Sequence, residues 1–276
     1  MQIKSLLSLL ASTGAVAKRS CGTPKPTVEQ ILVAQNFQIS AENSSRLDAA
    51  VAAINVKIYW HVVASSNSVS GGYLTQATLN KQLAVLNTDY AASGVSFVQA
   101  GADWTINAGY AGDTQEMAMK KALRNGTYAD LNVYFVPDTQ DLGYAYFPSD
   151  ITSTTSNAFY QDGVVIQSAS VPGGSLAAYN LGRTATHEVG HWLGLYHVFE
   201  GYSCTGNGDY VSDTAFTKQE GYGCAPASDS CPSQAGTDPV TNYMNYSEDS
   251  CMTNFTDGQD ARIVSLWNQF RKAHQT

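Results

Sequence analysis

Histidine is scarce in this chain: five occur among 276 residues, so chemistry that needs imidazole is confined to few places. Cysteine is missing altogether from Gly22 to Ser203, which excludes a disulfide framework across most of the chain. Charge is sparse too, at 14% of residues, and the basic kind is the scarcer. Fifteen Lys and Arg against 23 Asp and Glu leave a formal charge of −8, which disfavours nucleic acid or an anionic membrane surface as partner. No apolar run approaches the roughly 20 residues needed to cross a bilayer. Internal repeats and low-complexity tracts are also absent. What remains is an ordinary globular composition, 43% hydrophobic, with chain enough for one large domain.

The first residues read as a secretory signal peptide over 1–17. Lys4 gives a positive start, "SLLSLLA" an apolar stretch, and Ala15-Val16-Ala17 a small-residue cleavage site. An even set of late cysteines, Cys204, Cys224, Cys231 and Cys251, suits an oxidised, extracellular framework. Glycosylation sequons at Asn43, Asn125, Asn245 and Asn254 agree with secretion. Residues 18–45 are polar and broken by Gly22, Pro24 and Pro26, so an irregular pro-segment is expected there, leaving 46–276 as one catalytic domain.

Within that domain "VKIYWHVV", "VSFVQAGADWTI", "LNVYFV" and "GVVIQ" are rich in β-branched and aromatic residues and predict strands. Leu79, Leu83, Leu86 and Tyr90 recur at helical spacing before Gly94, and "QEMAMKKALRNG" predicts a second helix closed by Gly126. An α+β upper half follows. After His197 the texture turns to Gly, Ser, Asn, Asp and Tyr, until "DARIVSLWNQFRK" supplies a last amphipathic helix.

Three of the five histidines fall in "HEVGHWLGLYH", from His187 to His197. His187 and His191 are four residues apart, so on a helix their imidazoles share one face and can bind one metal ion. Glu188 points aside, suited to a water on the metal and not to ligation. Gly194 can stop the helix in a left-handed turn, and His197 can return as a third ligand. Three imidazoles with one position open to water are the donor set of a catalytic zinc. A histidine-rich surface helix is the plain alternative, and the added glycine and histidine at their offsets count against it.

The extended pattern H-E-x-x-H-x-x-G-x-x-H identifies the metzincin metallopeptidases. "HEVGHWLGLYHVFEG", "GDYVSDT", "NYMNYSEDSCM" and "FTDGQ" resemble more closely the pappalysin (cytophagalysin) family, including its secreted fungal members. The resemblance spans about Gly182 to Phe270 and is weaker upstream, through "CGTP". It implies a zinc endopeptidase with a twisted mixed sheet, a backing helix and the active-site helix in an upper subdomain. The lower subdomain it implies is irregular, stapled by disulfides and ends in a helix, with the cleft between the two. By the same resemblance His187, His191 and His197 ligate zinc, Glu188 is the general base, and Met244 floors the metal site. Tyr246 matches a tyrosine that can hydrogen-bond the reaction intermediate. Pairing as Cys204–Cys231 and Cys224–Cys251 is likewise implied, from three connectivities that four cysteines allow.

Cys21 is the odd cysteine. The resemblance suggests a switch in which its thiolate ligates zinc in the zymogen; a free thiol or an intermolecular disulfide remain alternatives. Asp209, Asp213 and Glu220 form an oxygen-rich loop where relatives bind calcium, and a solvated acidic loop is the other reading. Some relatives favour basic residues beside the cleaved bond through an acidic side chain just before the equivalent of Cys251. Ser250 stands there, with Glu248 and Asp249 behind it. The expected activity is hydrolysis of extracellular proteins or peptides by a monomer, without nucleic acid or membrane as partner. A non-catalytic zinc-stabilised binding protein is the competing class, and Glu188 argues against it, since a binding module needs no base beside the water. An astacin-like branch is disfavoured by the cysteine pattern.

Overall fold

The computed structural model describes residues 18–43 and 53–275. The signal peptide expected over 1–17, the pro-segment boundary at 45/46 and the Asn43 side chain lie outside the described residues. In chain order the elements are α1 (Val28–Asn43), β1 (Ile54–Ala64), α2 (Gln76–Asp89), β2 (Val95–Ile106), α3 (Ala108–Ala111), α4 (Glu116–Leu123), β3 (Leu131–Val136), β4 (Gly143–Ala145), α5 (Asn157–Gln161), β5 (Val164–Gln167), α6 (Arg183–Trp192) and α7 (Asp257–Leu266).

The five strands form one mixed sheet in the order β2-β1-β3-β5-β4. Neighbours are parallel except β4, which runs antiparallel to β5 and makes an edge. Period-two alternation on β1 sends Val56, Ile58, Trp60 and Val62 to one face, where they meet Leu79 and Leu86 of α2 and Ala185, Val189 and Trp192 of α6. Side chains of this kind contribute about 1.5–3 kcal/mol each when fully buried. Val63, Tyr134, Val136 and Val165 face the other way, against Met119 of α4. Helices thus cover both faces, which is why β3 is buried at every position.

Residues 28–43 are not irregular, as their polarity suggests; they form the 16-residue helix α1. "TVEQ" carries the cause. Thr27 Oγ1 accepts the Gln30 N–H at 3.3 Å and Gln30 Oε1 accepts the Thr27 N–H at 2.9 Å, a reciprocal capping box. From there to Asn43 neither glycine nor proline interrupts. Ala34 of α1 buries against Phe147 and Tyr196.

Below α6 the chain is mostly turns until α7. Disulfides join Cys204 to Cys231 and Cys224 to Cys251, with Cα–Cα distances of 5.4 and 5.6 Å. α7 opens on a capping box between Thr256 and Gln259 and continues through a wide turn to Arg271. The buried Arg271 guanidinium donates to Trp192 O at 2.9 Å, binding the end of α6 to the C-terminal helix. Of the sequons, Asn125 and Asn254 are exposed. Asn245 is fully buried, its amide donating to Pro239 O and accepting from Gly221 N, so the folded chain cannot present it for glycosylation.

Candidate metal centre

His187 and His191 project from adjacent turns of α6, fully buried. His187 Nδ1 lies 2.7 Å from Tyr243 O, and His191 Nδ1 lies 2.8 Å from Leu195 O. Carbonyls only accept, so both Nδ1 atoms carry the proton and both Nε2 atoms present a lone pair. Gly194, at φ +98°, turns the chain beyond the helix; a Cβ there would stand 2.2 Å from Leu266 Cδ1. The turn brings His197 back, stacked on Phe199. His191 Nε2 ends 3.2 Å from His187 Nε2 and 3.1 Å from His197 Nε2.

Burial pushes all three imidazoles below their ordinary value, His191 to about 4, and their neighbours press His187 and His197 further down. They are therefore neutral near pH 7. At His187 and His191, Nε2 lone pairs that face one another at 3.2 Å repel unless a cation sits between them. Together with Cys21 Sγ their donor atoms lie within 4.8 Å of one another, the only such group of three or more His, Cys, Asp or Glu among the described residues. The donor set fits a divalent transition metal.

Glu188 stays out of that set. Its buried Oε2 accepts from the Cys21 thiol at 3.2 Å and from the Thr23 hydroxyl at 3.1 Å. Burial pushes its carboxyl up to about 8, against the pull of those two hydrogen bonds and of Arg19; a cation held by the imidazoles would draw it down. Burial and the Glu188 charge likewise raise the Cys21 thiol. Met244 lies under α6, its sulfur against Gly190, where a Cβ would stand 2.4 Å away. The same turn gives Tyr243 O to His187 and Met244 O to the Val198 N–H, so it steadies two of the three imidazoles. The Tyr246 ring lies 5.1 Å from that of His197 and 5.8 Å from that of His187.

The residues before α1 run along the exposed edge of β4. Leu142 N donates to Ser20 O at 3.1 Å and Gly22 N to Gly143 O at 2.9 Å, a parallel pairing. Arg19 then turns into a pocket beside the triad and is 1% exposed. Its guanidinium meets Asp249, Ser247 O at 3.3 Å and the Thr184 hydroxyl at 3.4 Å, and lies over the Tyr179 ring. The family pattern directs attention to position 250 for an acidic determinant and says nothing of Arg19. The carboxylate in the pocket belongs to Asp249. "KRSC" holds the arginine in plain view, but nothing local ties Arg19 to a partner 230 residues away.

The acidic loop divides its carboxylates among separate partners. Asp213 accepts from the Thr256 hydroxyl and the Gly258 N–H, both at 2.8 Å, at the start of α7. Glu220 accepts from Tyr202, and Asp209 is buried beside Arg262. They do not gather with one another as the histidines do.

Residues 112–268 match peptidase family M43, described as pregnancy-associated plasma protein-A. An extracellular metalloprotease of Colletotrichum graminicola is 64% identical over the whole of both chains, and one of Sordaria macrospora 50% identical over 98% of each. Among solved structures, mature mirolysin of Tannerella forsythia in complex with a cleaved peptide is 29% identical, with a TM-score of 0.65 over 78% of this chain and 92% of its own. A promirolysin variant of the same organism is 28% identical, with a TM-score of 0.69 over 92% of this chain and 95% of its own. The metal-sized histidine cluster on α6, the mixed sheet above it and these matches lead to one conclusion: the chain belongs to the M43, or pappalysin, family of metallopeptidases.

Proposed function

We propose that this chain is a secreted zinc endopeptidase made as a latent precursor, with a signal peptide over 1–17, a pro-segment over 18–45 and a catalytic domain over 46–276. The observation that carries the reading is the convergence of three imidazole nitrogens, the lone pairs of His187 and His191 fixed by their carbonyl partners, beside a buried carboxylate that joins no ligand set. His187, His191 and His197 would hold the ion, and in the precursor Cys21 would complete a three-nitrogen, one-sulfur set of the kind zinc favours. When bound, zinc supplies Lewis acidity, acidifying water and polarising the scissile carbonyl.

Glu188 takes the proton of the attacking water at Oε2, the atom on which Cys21 and Thr23 now converge, and returns it to the leaving amine. The Tyr246 hydroxyl donates to the developing oxyanion. Substrates are proteins or peptides lying along β4, and the pocket of Thr184, Ser247 and Asp249 receives an arginine side chain as it now receives Arg19. Precursor mirolysin spans more of this chain than the mature form, 92% against 78%, which supports the pro-segment assignment. Arg46 is the one arginine between Arg19 and β1, which suits cleavage at 45/46 by a second copy.

Peptide turnover and zinc stoichiometry measured on Glu188→Gln and His191→Ala test the reading. Glu188→Gln should bind zinc normally and lose activity by about 10²–10⁴ or more, since general-base catalysis is worth that much. His191→Ala should lose both. A Glu188→Gln enzyme keeping more than about a tenth of wild-type turnover overturns the assignment.

A further inference from the structure

Asp249 is buried in the lower loop, two residues before Cys251, and divides its two oxygens between different partners. Oδ1 faces the Arg19 guanidinium. Oδ2 accepts two backbone N–H groups, that of Leu181 at 2.8 Å and that of Arg183 at 3.2 Å. Arg183 is the first residue of α6, and Leu181 belongs to the chain that enters it.

The first four N–H groups of a helix lack an intrahelical acceptor, and a Ser, Thr, Asp or Asn side chain at the N-cap ordinarily serves one of them. α6 has no such residue. Its N-cap is Gly182, in the left-handed conformation, and its first turn contains no acidic side chain. The missing acceptor arrives instead from a loop 66 residues further along the chain. A carboxylate at that end also meets the positive pole of the helix. α6 is only ten residues long and carries His187, Glu188 and His191, so its first turn lies one turn from the reacting groups.

We propose that Asp249, the carboxylate that the reading above places in the arginine pocket, is also a positioning residue for α6. One carboxylate sets the active-site helix with one oxygen and reads the side chain in the pocket with the other. The proposal rests on the peptidase reading above. Its two roles can be separated, because an asparagine at this position keeps an oxygen for the two N–H groups but offers no charge to a guanidinium, whereas an alanine offers neither.

The test uses zinc-loaded, matured enzyme and two peptides that differ only in arginine against citrulline, its neutral near-isostere. Wild type should prefer arginine by at least about tenfold in kcat/KM, and both Asp249→Asn and Asp249→Ala should lose that preference. On the citrulline peptide, Asp249→Ala should have a kcat at least about fivefold below that of Asp249→Asn. Amide exchange at Leu181 and Arg183 in the full chain should be about tenfold faster in the Ala variant than in the Asn variant, the loss of one backbone hydrogen bond. A folded Asn variant beside an Ala variant that does not fold supports the assignment equally, since both lack the charge. Matching citrulline kcat and matching exchange in the two variants overturn the positioning role. Wild type indifferent to arginine or citrulline overturns the recognition role and leaves the exchange comparison to decide the other. Wild type that cleaves neither peptide counts against the peptidase reading itself, and the exchange comparison still decides the positioning role.

Discussion

Burial pushes the Asp209 carboxyl up to about 7, against a lowering pull from Arg262. Its Oδ1 accepts the Val211 N–H at 3.1 Å, while Oδ2 has no hydrogen-bond partner among the described residues. The folded chain therefore keeps a proton that the unfolded chain has released, over the window from the ordinary carboxylate value to about 7. In that window the native state binds more protons, so this group makes unfolding easier as pH rises. Asp209→Asn removes the titration. Urea unfolding at pH 4 and pH 7 should show the stability of wild type relative to Asp209→Asn falling with pH; a flat or rising difference excludes the shift. Other single residues are legible in the sequence. His187, His191 and His197 lie within eleven residues, and helix geometry alone puts the first two on one face. Arg19 and Asp249 are not, because side chains 230 residues apart meet only once the lower loop has folded against α6.

Among elements, β1, β2, β3 and β5 are readable from their β-branched and aromatic runs, and α2 from its leucine spacing. β4 is not, since Gly-Tyr-Ala has no strand signal of its own and becomes a strand by pairing with β5. α1 is hidden for a different reason: Pro24 and Pro26 break regular structure immediately ahead of the capping box that starts it. The segment before α1 is held along β4 by backbone hydrogen bonds and anchored by two side chains, Cys21 at the triad and Arg19 in its pocket. Cys21→Ala should give an unprocessed chain with measurable peptidase activity, and adding Arg19→Ala should bring that activity closer to the matured level. Initial rates read beside a gel that tracks processing check this. Equal latency of Cys21→Ala and wild type, at matched processing, rejects the thiol's part.

For the molecule as a whole, the two disulfides interlock, each spanning 27 residues and each beginning inside or before the other's loop. They restrain the unfolded chain where few apolar side chains are available to bury. Replacing both Cys224 and Cys251 by serine should cost about 2–4 kcal/mol in denaturant unfolding. A loss under about 0.5 kcal/mol would mean that packing alone holds the loop. The sequence by itself determined what short-range geometry can determine: the helix that pairs His187 with His191, the glycine that lets the chain turn, and most strands of the sheet. Tertiary structure alone decided which carboxylate faces Arg19, what caps α6, and how the segment carrying Cys21 pairs along β4. Those depend on contacts between segments far apart in the chain, for which no local spacing carries a signal.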